Sequence, residues 1–431
     1  MRVRDHLLEC ARAAAPGSRR EAAACLIGLQ VALDLVSESG PSGADPWARA
    51  ARGVGEAARA FGPGMERALQ ILVDGAKHHA ASSARWLALA PEDRTPAVAT
   101  ATGLRLHASI LDTADTRDDA GAMKVIDRLV AQIVLRDLPA GRVHDPAAQW
   151  GALLDAVAAH LPNGSDRLRF MISGQDLDPI RAAFASLRLA AHGVNGAIDP
   201  GDPLMAAGNA HGSGGEPMRY DRIAARHERG RRLPDERLLS SEIRHSPFGP
   251  PGRHSSDSGL LLHALAHLAP GGLAVLHVGY EFLTREGNDA RIRSNLVGVG
   301  MIDAIIAVRG SRLTESALLV LRGAPDRCDD RTLVVDACRN GLTDVGQSQA
   351  AFAAWASRIE IPSVARFVDQ PEIASRDYLL HPRLYLARAR PPERGPGTER
   401  WQDLDDRVRS STQKYSEKMR AFERSLQRFG R

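Results

Sequence analysis

The feature that most constrains this chain is the alternation of short β-prone runs with amphipathic helical stretches from about residue 140 onward. Between them, helical patterns occupy 146–160, 179–192, 257–268 and 289–298. Branched and aliphatic residues predict strands at 142–145, 168–173, 220–225, 273–279, 303–309, 317–323 and 332–337. Strands that alternate with helices are typical of a parallel sheet covered on both faces, so we predict an α/β fold.

The beginning of the chain has a different pattern. Alanine-rich segments such as 20–38 and 64–81 carry apolar residues at three- and four-residue spacing, which predicts helices without strands. A further helical pattern surrounds residues 347–360, and a charged amphipathic segment closes the chain. We therefore predict three regions: an all-helical N-terminal domain at 1–137, an α/β domain at 138–345 and a helical C-terminal extension at 346–431.

Composition excludes several classes of protein. The 431 residues are 44% hydrophobic and 25% charged, as in ordinary globular proteins, and no apolar run reaches the roughly 18 residues of a membrane helix. The start of the chain lacks the apolar stretch of a secretion signal, so a cytoplasmic location is the expectation. The net charge of +4 permits a nucleic-acid partner without requiring one.

The four cysteines have no metal-binding spacing. Cys10, Cys25, Cys328 and Cys338 stand in two distant pairs without a CxxC motif, which favours free thiols. No metal ligand is predicted from the sequence.

Four short motifs accompany the predicted strands in a fixed order. They read HDPAAQWG (144–151), ISGQDLDP (172–179), DPGDPL (199–204) and YDRIAARHER (220–229). Their order resembles the methylase domain of type I restriction-modification modification subunits, where a DPACGSGG-like turn, a GQE-like strand end, a GD-containing loop and an NPPF or NPPY loop succeed one another. The segments 258–297 and 378–385 are similar to later parts of the same domain.

This resemblance implies a Rossmann-like class I methyltransferase sheet, with helices on both faces, preceded by an all-helical domain. It implies S-adenosylmethionine as the cofactor, adenine-N6 of DNA as the substrate and a separate specificity subunit as a partner. It also assigns the cofactor-binding residues. Asp176 would hold the ribose hydroxyls and Asp202 would lie near the adenine amino group, and the remaining positions are Asp145, Gly151 and Gly174.

The first departure from the family pattern lies in the turn that follows the first strand. Ala148, Gln149 and Trp150 stand where the family has Cys-Gly-Ser, so only Gly151 remains of the small residues that allow a cofactor to approach the backbone. We expect the indole of Trp150 to fill the space of the methionine part of the cofactor.

The second departure lies where the target base should bind. In place of Asn-Pro-Pro and an aromatic residue the chain reads Arg226, His227, Glu228, Arg229. A guanidinium only donates hydrogen bonds and stays charged, so Arg226 cannot accept an amino proton of adenine and would repel the sulfonium. Glu228 is the residue of this motif that could accept the adenine amino proton in place of the family's asparagine. If the register differs, HSPFGPP at 245–251 would make His245 and Phe248 the base-contacting pair.

Three functions stay open at this point. The first is a methylase-fold protein that has lost methyl transfer and acts as a binding or assembly protein. The second is an active S-adenosylmethionine-dependent DNA adenine methyltransferase with divergent residues. The third is a fold reused on a small-molecule or protein substrate. The long connection between 219 and 254 holds nine arginines and five acids, which could grip DNA phosphates or simply be solvated.

Overall fold

The protein consists of a helical unit joined to a large mixed sheet. The computed structural model describes residues 2–15, 18–36, 45–61, 64–89, 119–205, 218–226, 232–252, 256–309, 315–323, 331–336 and 345–386. None of the helices in these ranges is long and apolar enough to cross a membrane.

In the described residues up to 89, the helical unit has five helices. They are α1 (Arg2–Ala11), α2 (Arg19–Asp34), α3 (Pro46–Phe61), α4 (Met65–His78) and α5 (Ala80–Leu87). Helix α2 is the centre of this unit, because every residue from Ala22 to Leu33 is buried. Its one polar core residue, Gln30, accepts a hydrogen bond of 3.1 Å from the indole nitrogen of Trp86 on α5. The predicted absence of strands is confirmed for the described part of residues 1–89.

The sheet has nine strands. They are β1 (Gly141–Asp145), β2 (Phe170–Asp176), β3 (Asn195–Pro200), β4 (Tyr220–Arg226), β5 (Leu268–Gly279), β6 (Ile302–Arg309), β7 (Glu315–Arg322), β8 (Thr332–Asp336) and β9 (Ala365–Val368). Their spatial order is β3-β2-β1-β4-β5-β7-β6-β8-β9. The first five strands are mutually parallel, while β7 lies antiparallel between β5 and β6. Strand β8 is parallel to β6, and β9 is antiparallel to β8.

Among the residues that the structure describes from 119 onward, nine further helices accompany the sheet. They are α6 (Asp119–Leu135), α7 (Ala152–His160), α8 (Pro179–Ala190), α9 (Ser241–Arg244), α10 (Asp257–His267), α11 (Tyr280–Thr284), α12 (Asn288–Gly298), α13 (Val345–Ser357) and α14 (Gln370–Ala374). One sheet face packs on α6, α7, α8 and α13, through residues such as Val143 and Ile306. The other face packs on α10 and α12, through residues such as Ile223 and Ile305. The predicted α/β fold with helices on both faces is confirmed.

Helix α8 joins the two units. Its Ala182, Ala185 and Leu189 lie in the sheet cluster, whereas Phe184 and Leu187 lie in the cluster of the helical unit. A helix that is apolar on two sides must be covered on two sides, so α8 holds the helical unit against the sheet.

The structure adds two strands that the sequence patterns did not predict. Strand β3 contains Gly196 and ends at Pro200, and β9 has only four residues. Both lie at edges of the sheet, where strands are short and tolerate glycine and proline. Strand β9 also shows that the region after residue 346 is not purely helical.

Helices α2 and α3 approach each other closely at a glycine, which gives a direct test of their packing. A Cβ at Gly53 would lie 1.7 Å from the backbone oxygen of Ala32, whereas a Cβ at Gly55 would meet no atom within 4 Å. We expect Gly53→Ala to lower the free energy of unfolding by at least about 2 kcal/mol, because backbone must move. The matched Gly55→Ala should leave it unchanged or raise it by up to about 1 kcal/mol. Chemical denaturation measures both, and equal effects would contradict the described packing.

Candidate functional site at the carboxyl ends of the strands

The strand order reverses between β1 and β4. From β1 the chain builds β2 and β3 on one side, and from β4 it builds the remaining strands on the other. In parallel sheets the crevice at such a reversal is where ligands bind, at the carboxyl ends of the strands. Asp145 ends β1 and Arg226 ends the adjacent β4. The candidate site is therefore the region around these two side chains.

The turn between β1 and α7 is tied to β2 by hydrogen bonds. The backbone N–H of Ala148 donates to the carbonyl of Gln175 at 2.9 Å, and that of Gln149 donates to Oδ2 of Asp176 at 2.8 Å. Gln149 adopts a φ of 50°, which is unusual for a residue with a side chain. The turn thus has one defined shape, held by a neighbouring strand.

Two glycines allow the turn to lie close to its surroundings. A Cβ at Gly174 would come 2.7 Å from the backbone oxygen of Asp145. Gly151 has a φ of 76°, and a Cβ there would come 2.8 Å from the Cβ of Ala185 on α8. Both glycines, predicted from the resemblance as cofactor-binding positions, therefore also have a packing role within the protein.

Asp176 directs its carboxylate at groups of the protein itself. Oδ2 accepts from Gln149, while Oδ1 accepts from the backbone N–H of Asp178 at 2.8 Å and lies 2.9 Å from Nε of Arg181. The residue is only 4% exposed. The acceptor pair that the resemblance assigns to the ribose is thus already engaged, and its role toward a ribose stays a prediction.

The neighbouring aspartates act as caps. Asp178 is the N-cap of α8 and accepts from the N–H of Ile180 and Arg181, which confirms the capping interpretation of that residue. Asp202 accepts from the N–H of Leu204 at 2.9 Å in the turn after β3. Its predicted position near a cofactor adenine is not tested by these contacts.

Arg226 has an anionic partner. It forms an ion pair with Asp127 of α6, and the two side chains are 18% and 6% exposed. Arg226 is the fixed cation expected from the sequence, and the structure places a carboxylate directly beside it. His227, Glu228 and Arg229, the other residues of the fourth motif, lie outside the described residues.

Asp145 is the most deeply buried acid of the site, at 1% exposure. Burial raises its pKa to about 7, and the charges of Asp176 and Asp127 act in the same direction. The N–H of Ala147 and the charge of Arg226 act against this rise. Oδ2 of Asp145 has no hydrogen-bond partner within the described residues, so nothing there stabilises the ionised form at that oxygen.

Trp150 does not occupy the expected place. Its indole makes an edge contact with Phe184, at 6.0 Å between ring centres, and the guanidinium of Arg20 lies 5.0 Å above the ring. These contacts belong to the apolar cluster of the helical unit. The expectation that the indole fills the cofactor space is therefore wrong: the ring is used where the turn meets the helical unit, because α8 presents Phe184 there.

The alternative register of the base-binding motif is also not supported by the structure. Phe248 is half-buried against the core, and its carbonyl accepts from the side chain of Asn295 on α12. His245 caps the short helix α9 and is exposed. The segment HSPFGPP thus lies along α12 and does not follow the end of a sheet strand.

Several arginines of the long connection bind their own fold. Arg219 donates to the carbonyl of Leu268, Arg222 donates to the carbonyl of Val134, and Arg226 pairs with Asp127. These three guanidinium groups contribute to packing between β4 and its neighbours, and they are not directed as a group at a phosphate backbone.

The described residues at this edge do not fit S-adenosylmethionine in the way that the resemblance implies. The turn carries Gln149 in place of a glycine, the N–H of Gln149 is directed at Asp176, and the carboxylate of Asp176 is engaged by the protein. A cofactor that needs bare backbone and a free carboxylate finds neither in this arrangement.

A second polar cluster was missed from the sequence. Glu242, His263 and His267 bring potential metal ligands within 4.8 Å of one another beneath the sheet. The signal that could have revealed it is the four-residue spacing of the two histidines, which places them on one face of a helix. Glu242 could not have been added without the fold, because it lies on a different helix.

The order of the strands, with its reversal at β1 and β4 and its antiparallel β7, defines a Rossmann-like class I methyltransferase fold. The family model described as N-6 DNA Methylase matches residues 123–393. The chain belongs to the N-6 DNA methylase family. No curated protein matches it in sequence.

Three solved structures with a similar fold are described as proteins of type I restriction-modification systems. A methyltransferase subunit from Streptococcus thermophilus has a TM-score of 0.63 at 17% identity, over 84% of this chain and 80% of that one. A protein described as a type I modification subunit from Vibrio vulnificus has a TM-score of 0.59 at 14% identity, over 86% and 94%. A chain from a type I system studied for complex assembly has 0.59 at 13%, over 97% of each. The predicted resemblance is confirmed.

The buried Asp145 makes stability depend on pH. Its pKa is higher in the folded chain than in the unfolded one, so its contribution is present at low pH and is lost as the pH rises from about 4 to about 7. Asp145→Asn removes this titration and retains the acceptor for Ala147. We expect the unfolding free energy of the variant, relative to the natural chain, to increase by a few kcal/mol over that range, since one pKa unit corresponds to about 1.4 kcal/mol.

The measurement is chemical denaturation at pH 4, 5.5 and 7. Asp166→Asn is the control, because that carboxylate is 55% exposed and should show no comparable trend. If the difference in unfolding free energy between Asp145→Asn and the natural chain does not change with pH, the burial of a carboxylate oxygen without a hydrogen-bond partner is contradicted.

The ion pair of Arg226 can be tested by a double-mutant cycle. Asp127→Asn leaves a mostly buried guanidinium without its negative partner, and we expect a loss of about 3 kcal/mol in unfolding free energy. Adding Arg226→Gln should restore part of that loss, because the unpaired charge is gone. Glu56→Gln, which breaks an exposed pair with Arg59, should cost less than about 1 kcal/mol. Strictly additive effects at 127 and 226 would exclude the pair.

Proposed function

We propose that this protein is a methylase-fold relative of type I modification subunits that has lost methyl transfer and acts as a binding or assembly protein. The observation that carries the proposal is Arg226 at the end of β4, in ion pair with Asp127. This is the position from which the family's motif presents its asparagine to the target adenine.

Methyl transfer to adenine needs hydrogen-bond acceptors for the amino protons while nitrogen attacks the sulfonium methyl. A guanidinium is a donor at all of its nitrogens, and here it is held by a carboxylate. Losing acceptors made in the transition state costs several kcal/mol, or about 100- to 1000-fold in rate. The ion pair neutralises the charge of Arg226 but supplies no acceptor that faces a base.

The turn after β1 supports the same proposal. The carboxylate of Asp176 is engaged by Gln149, Asp178 and Arg181. A ribose at Asp176 would have to displace these contacts, which hold the turn to β2 and α8. We therefore propose that S-adenosylmethionine binding is lost together with catalysis.

The partner that this proposal implies is a protein subunit together with DNA. One similar solved chain comes from a type I restriction-modification complex whose assembly was studied. We propose that the present chain retains such an assembly role, with a specificity-type subunit as companion, and that it works in the cytoplasm. An active methyltransferase that uses Glu228, and a fold reused on a small molecule or protein, are the competing functions.

Calorimetric titration with S-adenosylmethionine separates these functions, because cofactor binding does not depend on a partner subunit. We expect no binding heat with the purified full chain at cofactor concentrations that saturate an active type I modification enzyme assayed in parallel. Incubation of the chain with tritiated cofactor and unmodified DNA should leave the DNA unlabelled.

Asp176→Asn is the matched variant for this experiment. Saturable binding that the variant abolishes would overturn the loss of the cofactor site and would make Asp176 a ribose ligand. Label in DNA would establish the active alternative. Heat with a different small molecule, but none with the cofactor, would favour the reused fold.

A further inference from the structure

The second polar cluster lies on the face of the sheet opposite to α6 and α7. His263 and His267 are four residues apart on α10, so their side chains share one face of that helix. Glu242, on the short helix α9, faces them from the connection that follows β4. The candidate ligand atoms of the three residues all lie within 4.8 Å of one another.

His267 is oriented by the backbone. Its Nδ1 lies 2.9 Å from the carbonyl oxygen of Met218, which can only accept, so Nδ1 carries the proton. Nε2 is then the ring nitrogen left to face a ligand. That atom has no hydrogen-bond partner in the described part of the chain and faces Oε1 of Glu242 at 3.6 Å. A histidine that binds a metal through one ring nitrogen usually donates a hydrogen bond from the other nitrogen to a carbonyl or carboxylate, as Nδ1 of His267 does here.

His263 supplies a second buried imidazole. The residue is 1% exposed, and its Nδ1 has no hydrogen-bond partner among the described residues. Buried polar nitrogens without partners are rare in proteins and call for an explanation.

We propose that Glu242, His263 and His267 bind a zinc ion. Two imidazoles and one carboxylate form a ligand set that Zn²⁺ adopts with an open fourth position. Ligands about 2.1 Å from a tetrahedral ion lie about 3.4 Å apart, so the cluster reaches this geometry through side-chain shifts of about 1 Å. The separation of 3.6 Å between Nε2 of His267 and Glu242 is already close to it.

There is room for a water molecule beside the two histidines. A small cavity of about 20 Å³ adjoins the two histidines and is lined also by His144, Ser173 and Tyr220. Ring stacking accounts for the placement of His144, whose ring lies 4.1 Å from that of Tyr220 with nearly parallel planes. Stacking does not account for the approach of Glu242 to Nε2 of His267, which a shared cation satisfies.

The ion would join parts of the chain that are far apart in sequence. Glu242 lies in the connection between β4 and α10, while His267 is the last residue of α10 and contacts the backbone just before β4. Zinc would therefore hold the connection against the sheet. This role is independent of cofactor binding and of methyl transfer.

Metal titration of the intact chain tests the proposal. The full-length protein is stripped with a chelator, dialysed and titrated with ZnCl₂ in competition with a chromogenic chelator. CoCl₂ is added to a second sample and its visible spectrum is recorded. We expect one ion per chain and the intense absorption of four-coordinate Co²⁺. Glu242→Gln should weaken Zn²⁺ binding at least about 10-fold while the fold is retained, since Glu242 is only half-buried.

His245→Gln is the matched control, because that histidine ends the same short helix and is exposed. It should bind zinc as the natural chain does. Hydrogen exchange of residues 241–245 should slow with zinc in the control and not in Glu242→Gln. The proposal is overturned if the natural chain binds no stoichiometric zinc, if Co²⁺ gives only the weak six-coordinate spectrum, or if Glu242→Gln binds zinc as tightly as the control.

Discussion

The reversal of strand order between β1 and β4 is the constraint on which the rest of the structure depends. Because β1 and β4 are parallel neighbours in the middle of the sheet, their carboxyl ends meet at one edge. Residues that are about 80 positions apart, Asp145 and Arg226, thereby become neighbours. Helices on both faces exclude water from the strands, so polar groups at this edge must be satisfied by one another.

The polar groups at that edge interact with one another. Three acids, Asp127, Asp145 and Asp176, are nearly buried, and two arginines, Arg181 and Arg226, lie beside them. Asp127 and Asp176 are paired, while Asp145 is favoured in its neutral form by burial. An edge that in this fold serves as a ligand crevice is here occupied by interactions among the protein's own side chains. This is the physical basis for proposing a binding or assembly role in an N-6 DNA methylase relative.

The helical unit takes part in the same arrangement. Trp150 follows the central strand, yet its indole contacts Phe184 on α8 and Arg20 on α2. The turn after β1 is thus part of the contact between the two units. On the opposite face of the sheet, the two histidines of α10 lie close to Glu242, so the connection after β4 is held near that face.

What the sequence by itself determined was the class of fold and the chemistry of individual positions. Buried strands such as β5 and β6 and amphipathic helices such as α8 and α10 were predicted, because local periodicity reports which faces are apolar. Only the tertiary structure decided the partners of each side chain: it paired Arg226 with Asp127, turned Trp150 toward α8 and brought Glu242 to two histidines. The edge strands β3 and β9 were decided in the same way. These outcomes depend on contacts between segments distant in the chain, and periodicity within a single segment carries no information about them.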